Sequence, residues 1–304
     1  MRGLIKQCLR IVLVLFGISS IAFFLIHLSG DPVLLMLPPE ATQEEIEAFR
    51  HQMGFDKPLS EQYVSFLTQA AKGDFGQSLK FHQPSLDVVL ERIPATLELT
   101  LFATLLSIVI AIPLGIYSAV NRNSLSENLV TVAVFLGQSM PIFWTGIMLM
   151  LLFGVKLHWL PVSGRGSWEH LLMPAFTLAV WVAPTTLRIV RSSMLEVLQQ
   201  DYIRTARSKG LGEKVVIYKH ALKNAAIPIV TVVGFQIGKL LGGAVVTETV
   251  FAWPGVGQLV VKAIYTADYP LVQACVVILA LIVATMNFGV DSMYRYLNPK
   301  IKSG

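Results

Sequence analysis

The sequence predicts an all-α polytopic membrane protein, and three observations carry that reading. Hydrophobic residues make up 54% of the 304-residue chain and charged residues only 14%, against about 25% charged in an ordinary soluble domain. Mean hydropathy is positive, at +0.63. Six apolar runs (Ile11–Leu28, Leu97–Val120, Leu129–Val155, Leu171–Val190, Ile227–Phe251 and Leu271–Met293) have roughly the ~20 residues a helix needs to cross the bilayer core. Length alone would fit one or two soluble domains, but those runs overrule it.

The first run follows Arg2, Lys6 and Arg10. A secretory signal peptide also has a basic start, but its apolar core is normally shorter and ends in a small-x-small cleavage site. None follows His27-Leu28-Ser29-Gly30. Residues 1–28 therefore read as an uncleaved first transmembrane helix with its N-terminus in the cytoplasm. Six transmembrane helices put both termini on one side, N-in and C-in. Charge agrees: that topology places fifteen of the 24 Lys and Arg inside and eight outside, with Lys239 within a span.

Residues 29–96 form the one soluble-looking stretch, a small extracytoplasmic helical insertion after the first helix. Thr42-Gln-Glu-Glu45 is a capping box opening a short helix with Ile46, Phe49 and Met53 on one side and Gly54 as its stop. Leu59, Tyr63, Phe66, Leu67 and Ala70 mark a second helix ending by Gly73, and Leu86, Val89, Leu90 and Ile93 a third, from Ser85. Three such helices bury little among themselves, so they are expected to lie against the membrane helices or an external partner.

Residues 97–293 hold the remaining spans. In the third span, Gln138-Ser139-Met140-Pro141 predicts a kink. Pro141 removes a backbone donor, and Gln138 and Ser139 either bond the freed carbonyls or line a wet cavity. Trp159 and Trp168, in the loop 156–170, suit an interfacial belt.

The fifth span carries Gly234, Gly238 and Gly242, a smooth stripe that lets another helix approach. Gln236 and Lys239 lie off that stripe. A Lys at mid-span either faces a cavity or an acidic partner, or snorkels. Gly234-Phe-Gln-Ile-Gly-Lys239 superficially resembles a phosphate loop but has one residue too few between its glycines, and Leu240 stands where Ser or Thr holds Mg²⁺. Gln258–Thr266 reads as a short interfacial helix outside. Asp291 and Arg295, four apart near the end of the last span, read as a local ion pair. Residues 294–304 form a cytoplasmic tail.

Between spans four and five lies a basic cytoplasmic segment, 192–226. Six Lys and Arg fall between positions 204 and 223, opposed there only by Glu213. Asp201, an N-cap type residue, opens a short helix running to about Lys209, and Gly210 stops it. Ile203 and Ala206 fall toward one side, and Arg204, Arg207 and Lys209 toward others. A helix this short does not hold itself together in water, so it requires a surface to pack on.

Arg204-Thr205-Ala206-x-x-x-Gly210, with His220-Ala-Leu-Lys-Asn224 and Pro228, resembles the coupling loop of ABC-importer permeases, specifically the dipeptide/oligopeptide/nickel branch of bacterial inner membranes. Gly30-Asp-Pro32, Gly73-Asp-Phe-Gly76, Pro94-Ala-Thr-Leu-Glu-Leu99, Glu248 to Gly257, Asp268-Tyr-Pro270 and Asn298-Pro-Lys-Ile301 extend the resemblance over nearly the whole chain. The general importer pattern begins Glu-Ala-Ala. Here Arg204 and Thr205 replace its first two letters, and Ala267 replaces a basic residue common in that branch. The resemblance implies a type I ABC importer fold and a permease subunit in a multi-pass inner-membrane complex that imports di- or oligopeptides. It implies a second homologous permease subunit, two cytoplasmic ABC ATPase subunits carrying ATP and Mg, and an external substrate-binding protein. Asp201, Arg204, Thr205, Ala206, Arg207, Lys209, Gly210 and Leu211 would be the ATPase-coupling residues. Gln138, Ser139, Pro141, Gly234, Gln236, Gly238, Lys239 and Gly242 are candidates for the pathway or for packing around it. Glutathione or a nickel chelate is the alternative cargo.

The chain shows no nucleophile–base set, so an enzyme is not expected, and no cofactor is expected on it. Its six His are scattered without ligand spacing, and Cys8 and Cys275 fall at opposite ends of their spans, too far apart to bridge. The basic loop lacks interleaved aromatics, so nucleic acid is not an expected partner. An ion-gradient-driven secondary transporter would carry inverted repeats or several intramembrane carboxylates, whereas the spans hold only Glu98, Glu248 and Asp291, all near ends.

Overall fold

The computed structural model describes residues 2–28, 31–37 and 40–297. Gly30, Asn298–Ile301 and most of the tail lie outside the described residues, and the side chains of Cys8, Asp291 and Arg295 lie outside the described side chains. The described residues form helices, turns and one isolated antiparallel bridge between Gln77 and Pro84. Among the described residues, four helices are long and apolar enough to cross a membrane: Ser85–Val120, Glu169–Leu198, Glu213–Val250 and Tyr269–Val290. Leu125–Ser139 with Ile142–Lys156 makes a fifth if that bent pair counts as one span.

Two compact units contain these elements, residues 1–96 with 254–285 and residues 97–253 with 286–304. The first contains α1 (Arg2–Leu28), α2 (Pro32–Met36), α3 (Gln43–Met53) and α4 (Leu59–Ala70). It also holds the start of α5 (Ser85–Val120), α12 (Val256–Tyr265) and the start of α13 (Tyr269–Leu297). Thr42 and Glu45 make the capping box reciprocally, and Gly54 ends α3 at φ 72°. None of the described side chains of α3 is buried. α4 lies against α1: Phe23 contacts Tyr63 and stacks on Phe66 at 5.7 Å, and the Ser20 and Tyr63 hydroxyls are 2.5 Å apart.

The third helix expected from Ser85 is not separate. It runs without interruption into the second apolar run as the 36-residue α5, because its apolar positions continue at helical spacing across Pro94. The helix expected at Gln258–Thr266 forms as α12, with one face packed inward: Val256, Leu259 and Ala263 are all at least 97% buried, while Lys262, Ile264 and Tyr265 are exposed. Its first N–H group, on Val256, donates to Thr96 Oγ1 at 2.9 Å. Asp268, fully buried, caps α13 and accepts from Ser78 Oγ at 2.5 Å and the Lys80 N–H at 3.2 Å.

The second unit is built on α8 (Glu169–Leu198) and α11 (Leu222–Val250), with α6 (Leu125–Ser139) and α7 (Ile142–Leu149) packed on α8. The expected kink at Pro141 is a full break: α6 and the helix after it diverge by 101°. The reason is local. A residue before proline avoids the helical region, and Met140 (ψ 138°) and Pro141 (ψ 136°) are both extended. The chain thus leaves α6 through two non-helical residues. Gly146 of α7 then sits against Phe251, where an added Cβ would come within 3.0 Å of the ring. Pro174 and Pro184, by contrast, are carried within α8.

Candidate functional site

Most of the basic segment 192–226 is helical. α8 continues to Leu198, α9 spans Asp201–Ser208, and Glu213–Val250 forms one further helical stretch, made of the single turn α10 (Glu213–Val215), a π-helical turn at Val216–Ala221 and α11. Ile203 is fully buried and Ala206 nearly so. They pack among Ile116 and Ala119 of α5, Val190 and Met194 of α8, and Ala225 and Ile229 of α11. This apolar seat meets the packing requirement of so short a helix. Full burial of an isoleucine side chain contributes roughly 1.5–3 kcal/mol, comparable with what an eight-residue helix lacks by itself.

Asp201 is not the N-cap. Gln200 takes that position with no side-chain capping bond, and Asp201 is the first helical residue. At the other end the chain closes in a Schellman motif: the Gly210 N–H donates to Arg207 O at 2.9 Å and the Leu211 N–H to Ala206 O at 3.4 Å. Gly210 stands at φ +76°. The Arg207 guanidinium donates to both carboxylate oxygens of Glu213, at 2.8 and 3.2 Å, fixing the turn that follows. Thr205 Oγ1 donates back to Asp201 O at 3.0 Å. Arg204 pairs loosely with Asp201 at 3.6 Å, both side chains well exposed, so that pair adds little. The outward surface of α9 and its turn therefore presents Arg204, Lys209 and Leu211, beside an exposed Tyr202.

Two ion pairs of the second unit escape sequence reasoning. Glu127, 95% buried, takes a hydrogen bond from Arg191 Nε at 2.7 Å, tying α6 to the end of α8. Its local signal was the capping pattern Ser124-x-x-Glu127, whose Ser hydroxyl accepts from the Glu127 N–H. Arg165 reaches Glu98 at 2.9 Å through Nε and lies 5.7 Å from the Trp253 ring centroid. No sequence spacing announces that pair.

The other candidates separate into distinct environments. Ser139 donates to Phe135 O at 3.0 Å, a local repair, while Gln138 is half-buried. Gly234 and Gly238 of α11 face α13: an added Cβ would meet Val290 at 2.5 Å and Asn287 Oδ1 at 2.9 Å, respectively. Gly242 does not share this approach, having nothing within 4 Å, and Gly243 instead faces Trp181. Gln236, buried, donates to Val182 O at 3.0 Å and Thr186 Oγ1 at 3.3 Å, locking α11 to α8. Lys239 is exposed, with Nζ 4.4 Å from the Trp181 ring centroid.

Comparison with known proteins gives a consistent pattern. The family described as "Binding-protein-dependent transport system inner membrane component" matches residues 111–303, and its N-terminal counterpart matches residues 1–100. The glutathione transport system permease protein GsiC of Escherichia coli (strain K12) is 40% identical over 299 residues, covering 98% of each chain. The dipeptide transport system permease protein DppB of Alkalihalophilus pseudofirmus is 39% identical over 326 residues, again covering 98% of each. Among solved structures, an inward-facing form of the MetNI methionine ABC transporter aligns with TM-score 0.58 at 21% identity, covering 69% of this chain and 96% of that one. At that identity the likeness speaks to the fold.

Proposed function

The chain belongs to the family of binding-protein-dependent transport system inner membrane components, and on that premise we propose that it forms half of a peptide pathway through the membrane. It is a non-catalytic, multi-pass permease subunit of an ABC importer in the inner membrane. The observation that carries the cargo assignment is similarity over 98% of the chain to permeases named for a dipeptide and for glutathione, itself a tripeptide. Di- and oligopeptides are the first reading, and glutathione is the second, favoured by its permeases at 40% identity.

In this reading the chain crosses the membrane six times, N-in and C-in, with α1 as the first span and the broken pair around Pro141 as one span. Residues 29–96 face the binding protein, residues 97–293 form the permease core and 294–304 the cytoplasmic tail. A homologous permease completes the pathway. Two ATPase subunits, which hold ATP and Mg, dock beneath.

α9 is the coupling element. Closure of the ATPases pushes on its exposed face (Arg204, Lys209, Leu211), and the seat of Ile203 and Ala206 passes that push to α5, α8 and α11. A rigid link is required, because a floppy one would absorb the displacement. The Schellman turn at Gly210 and the Arg207–Glu213 clamp supply rigidity where the chain reverses.

Proteoliposomes containing the assembled importer, with the binding protein outside and ATP inside, test this. The expected result is peptide uptake that needs ATP, persists after ion gradients are collapsed, and accompanies peptide-stimulated hydrolysis. Uptake driven by an ion gradient without ATP would replace this reading with a secondary transporter.

A further inference from the structure

Lys239 stands at the midpoint of the apolar run Ile227–Phe251, where a cation is costly unless something compensates it. Its compensation is unusual. Among the described residues no carboxylate lies within ion-pair distance of Nζ, which instead rests 4.4 Å over the Trp181 ring. Trp181 is itself held by Gly243, one turn further along α11, which lets the indole approach the backbone. Glu98, near the end of another span, is taken by Arg165. Glu248, on α11 itself, is fully buried and about two and a half turns further on.

The ammonium thus has one aromatic face beneath it and an open side. That side belongs to a continuous strip: Phe235, Lys239, Gly242, Val246 and Thr249 recur at helical spacing and are all exposed. The opposite flanks of α11 are occupied, by Asn287 and Val290 against the glycines and by Val182 and Thr186 against Gln236. Snorkelling to an aqueous boundary is hardest from mid-span, and Nζ is engaged by the Trp181 ring instead.

Resting on the peptide-permease reading, we propose that Lys239 is a transient binding station for the free carboxylate of the peptide cargo within the pathway. The chemistry fits transit. A cation–π contact attracts the ammonium without filling its outer hydrogen-bonding directions. An arriving carboxylate finds the N–H donors that face away from the ring and an attractive charge. Because the ring keeps contact throughout, the ammonium is not stranded when the carboxylate leaves. A permanent acidic partner would compete with cargo, and full burial of the pair would slow release. A conducting site must bind well enough to admit and weakly enough to pass on.

The test uses the complete importer with its binding protein, in a chain whose Cys8 and Cys275 are replaced by Ser. Lys239→Cys should reduce uptake of a peptide with a free C-terminus roughly five- to tenfold. Treatment with 2-aminoethyl methanethiosulfonate, which restores an ammonium at nearly the length of lysine, should recover most of it, and the neutral methyl reagent should not. Lys239→Arg, which keeps a positive charge and also stacks on aromatic rings, should retain more uptake than Lys239→Cys. For a transported peptide whose C-terminal carboxylate is amidated, Lys239→Cys should change uptake less than for the free acid. Equal recovery by the neutral and cationic reagents, or no loss in Lys239→Cys, would overturn the proposal and leave the peptide reading standing. If the unmodified importer moved no peptide, that reading would fall first and this proposal with it.

Discussion

α3 and α9 are short amphipathic helices of eleven and eight residues, stabilised by opposite means. α3 carries its stability locally. Thr42 and Glu45 satisfy each other's backbone donors, Gly54 closes the end, and none of its described side chains is buried. α9 has no side-chain cap at its start and places Ile203 and Ala206 in a seat formed by three longer helices. A helix stabilised by its own ends can shift without disturbing its neighbours. A helix stabilised by its seat cannot move unless the seat moves too, which is the property a coupling element requires.

The largest effect is expected at the seat. Ile203→Asp puts a carboxylate among aliphatic side chains with no partner, a burial that structures relieve by local unfolding. Hydrogen exchange in 201–208 should approach that of an open loop, while α3 keeps its protection. Retained protection in α9 would show that its ends, not its seat, hold it.

Gly210→Val comes next. The position has φ +76° and nothing within 4 Å of an added Cβ, so the cost is conformational and not steric. A β-branched residue in that region loses about 1–2 kcal/mol, enough to fray the Schellman turn and lower peptide-stimulated hydrolysis. Assembly should survive. Unchanged stimulation would remove the turn from the coupling account.

Thr42→Ala should cost about 1 kcal/mol, seen as faster exchange confined to 43–53 with transport intact. A defect in transport would mean that α3 is not the independent element its capping suggests.

The smallest effect is acid sensitivity. Arg50 holds the Asp31 carboxyl below its ordinary range, and the Thr42 backbone N–H does the same for Glu45. Both folded values are depressed, so their contribution is complete above the unfolded values near ~4 and disappears as pH falls through the folded ones. The apolar seat of α9 contains no titrating group, but the Glu213 carboxyl that closes its turn is likewise held below the ordinary range by Arg207. Protection of α3, corrected for intrinsic exchange, should therefore weaken as pH falls below about 4, whereas in α9 only the turn closed by Glu213 should weaken and the amides around Ile203 should not. Equal losses would contradict the contrast.

The same contrast explains what the sequence made legible. Local chemistry was readable: the capping box at Thr42, the stops at Gly54 and Gly210, the apolar runs, and the need of α9 for a surface. Tertiary choices were not. The seat of Ile203 is assembled from residues up to about ninety positions away in the chain. Pro141 was recognised as a disruption, but the size of the bend depends on two consecutive extended residues, which composition does not specify. The glycine stripe was visible as spacing, yet only Gly234 and Gly238 have a helix against them. Glu127–Arg191 and Glu98–Arg165 join segments 64 and 67 residues apart, beyond any local pattern.

The central claim is that α9 transmits force because its seat is rigid. Ile203→Ala loosens that seat, by about 2–4 kcal/mol, without altering the exposed surface that would meet the ATPase. The decisive quantity is the number of peptides imported per ATP hydrolysed in proteoliposomes, measured alongside the amount of ATPase subunit that copurifies. The account predicts a several-fold fall in that ratio with normal copurification. A wild-type ratio, in a variant whose α9 has demonstrably lost exchange protection, would contradict it.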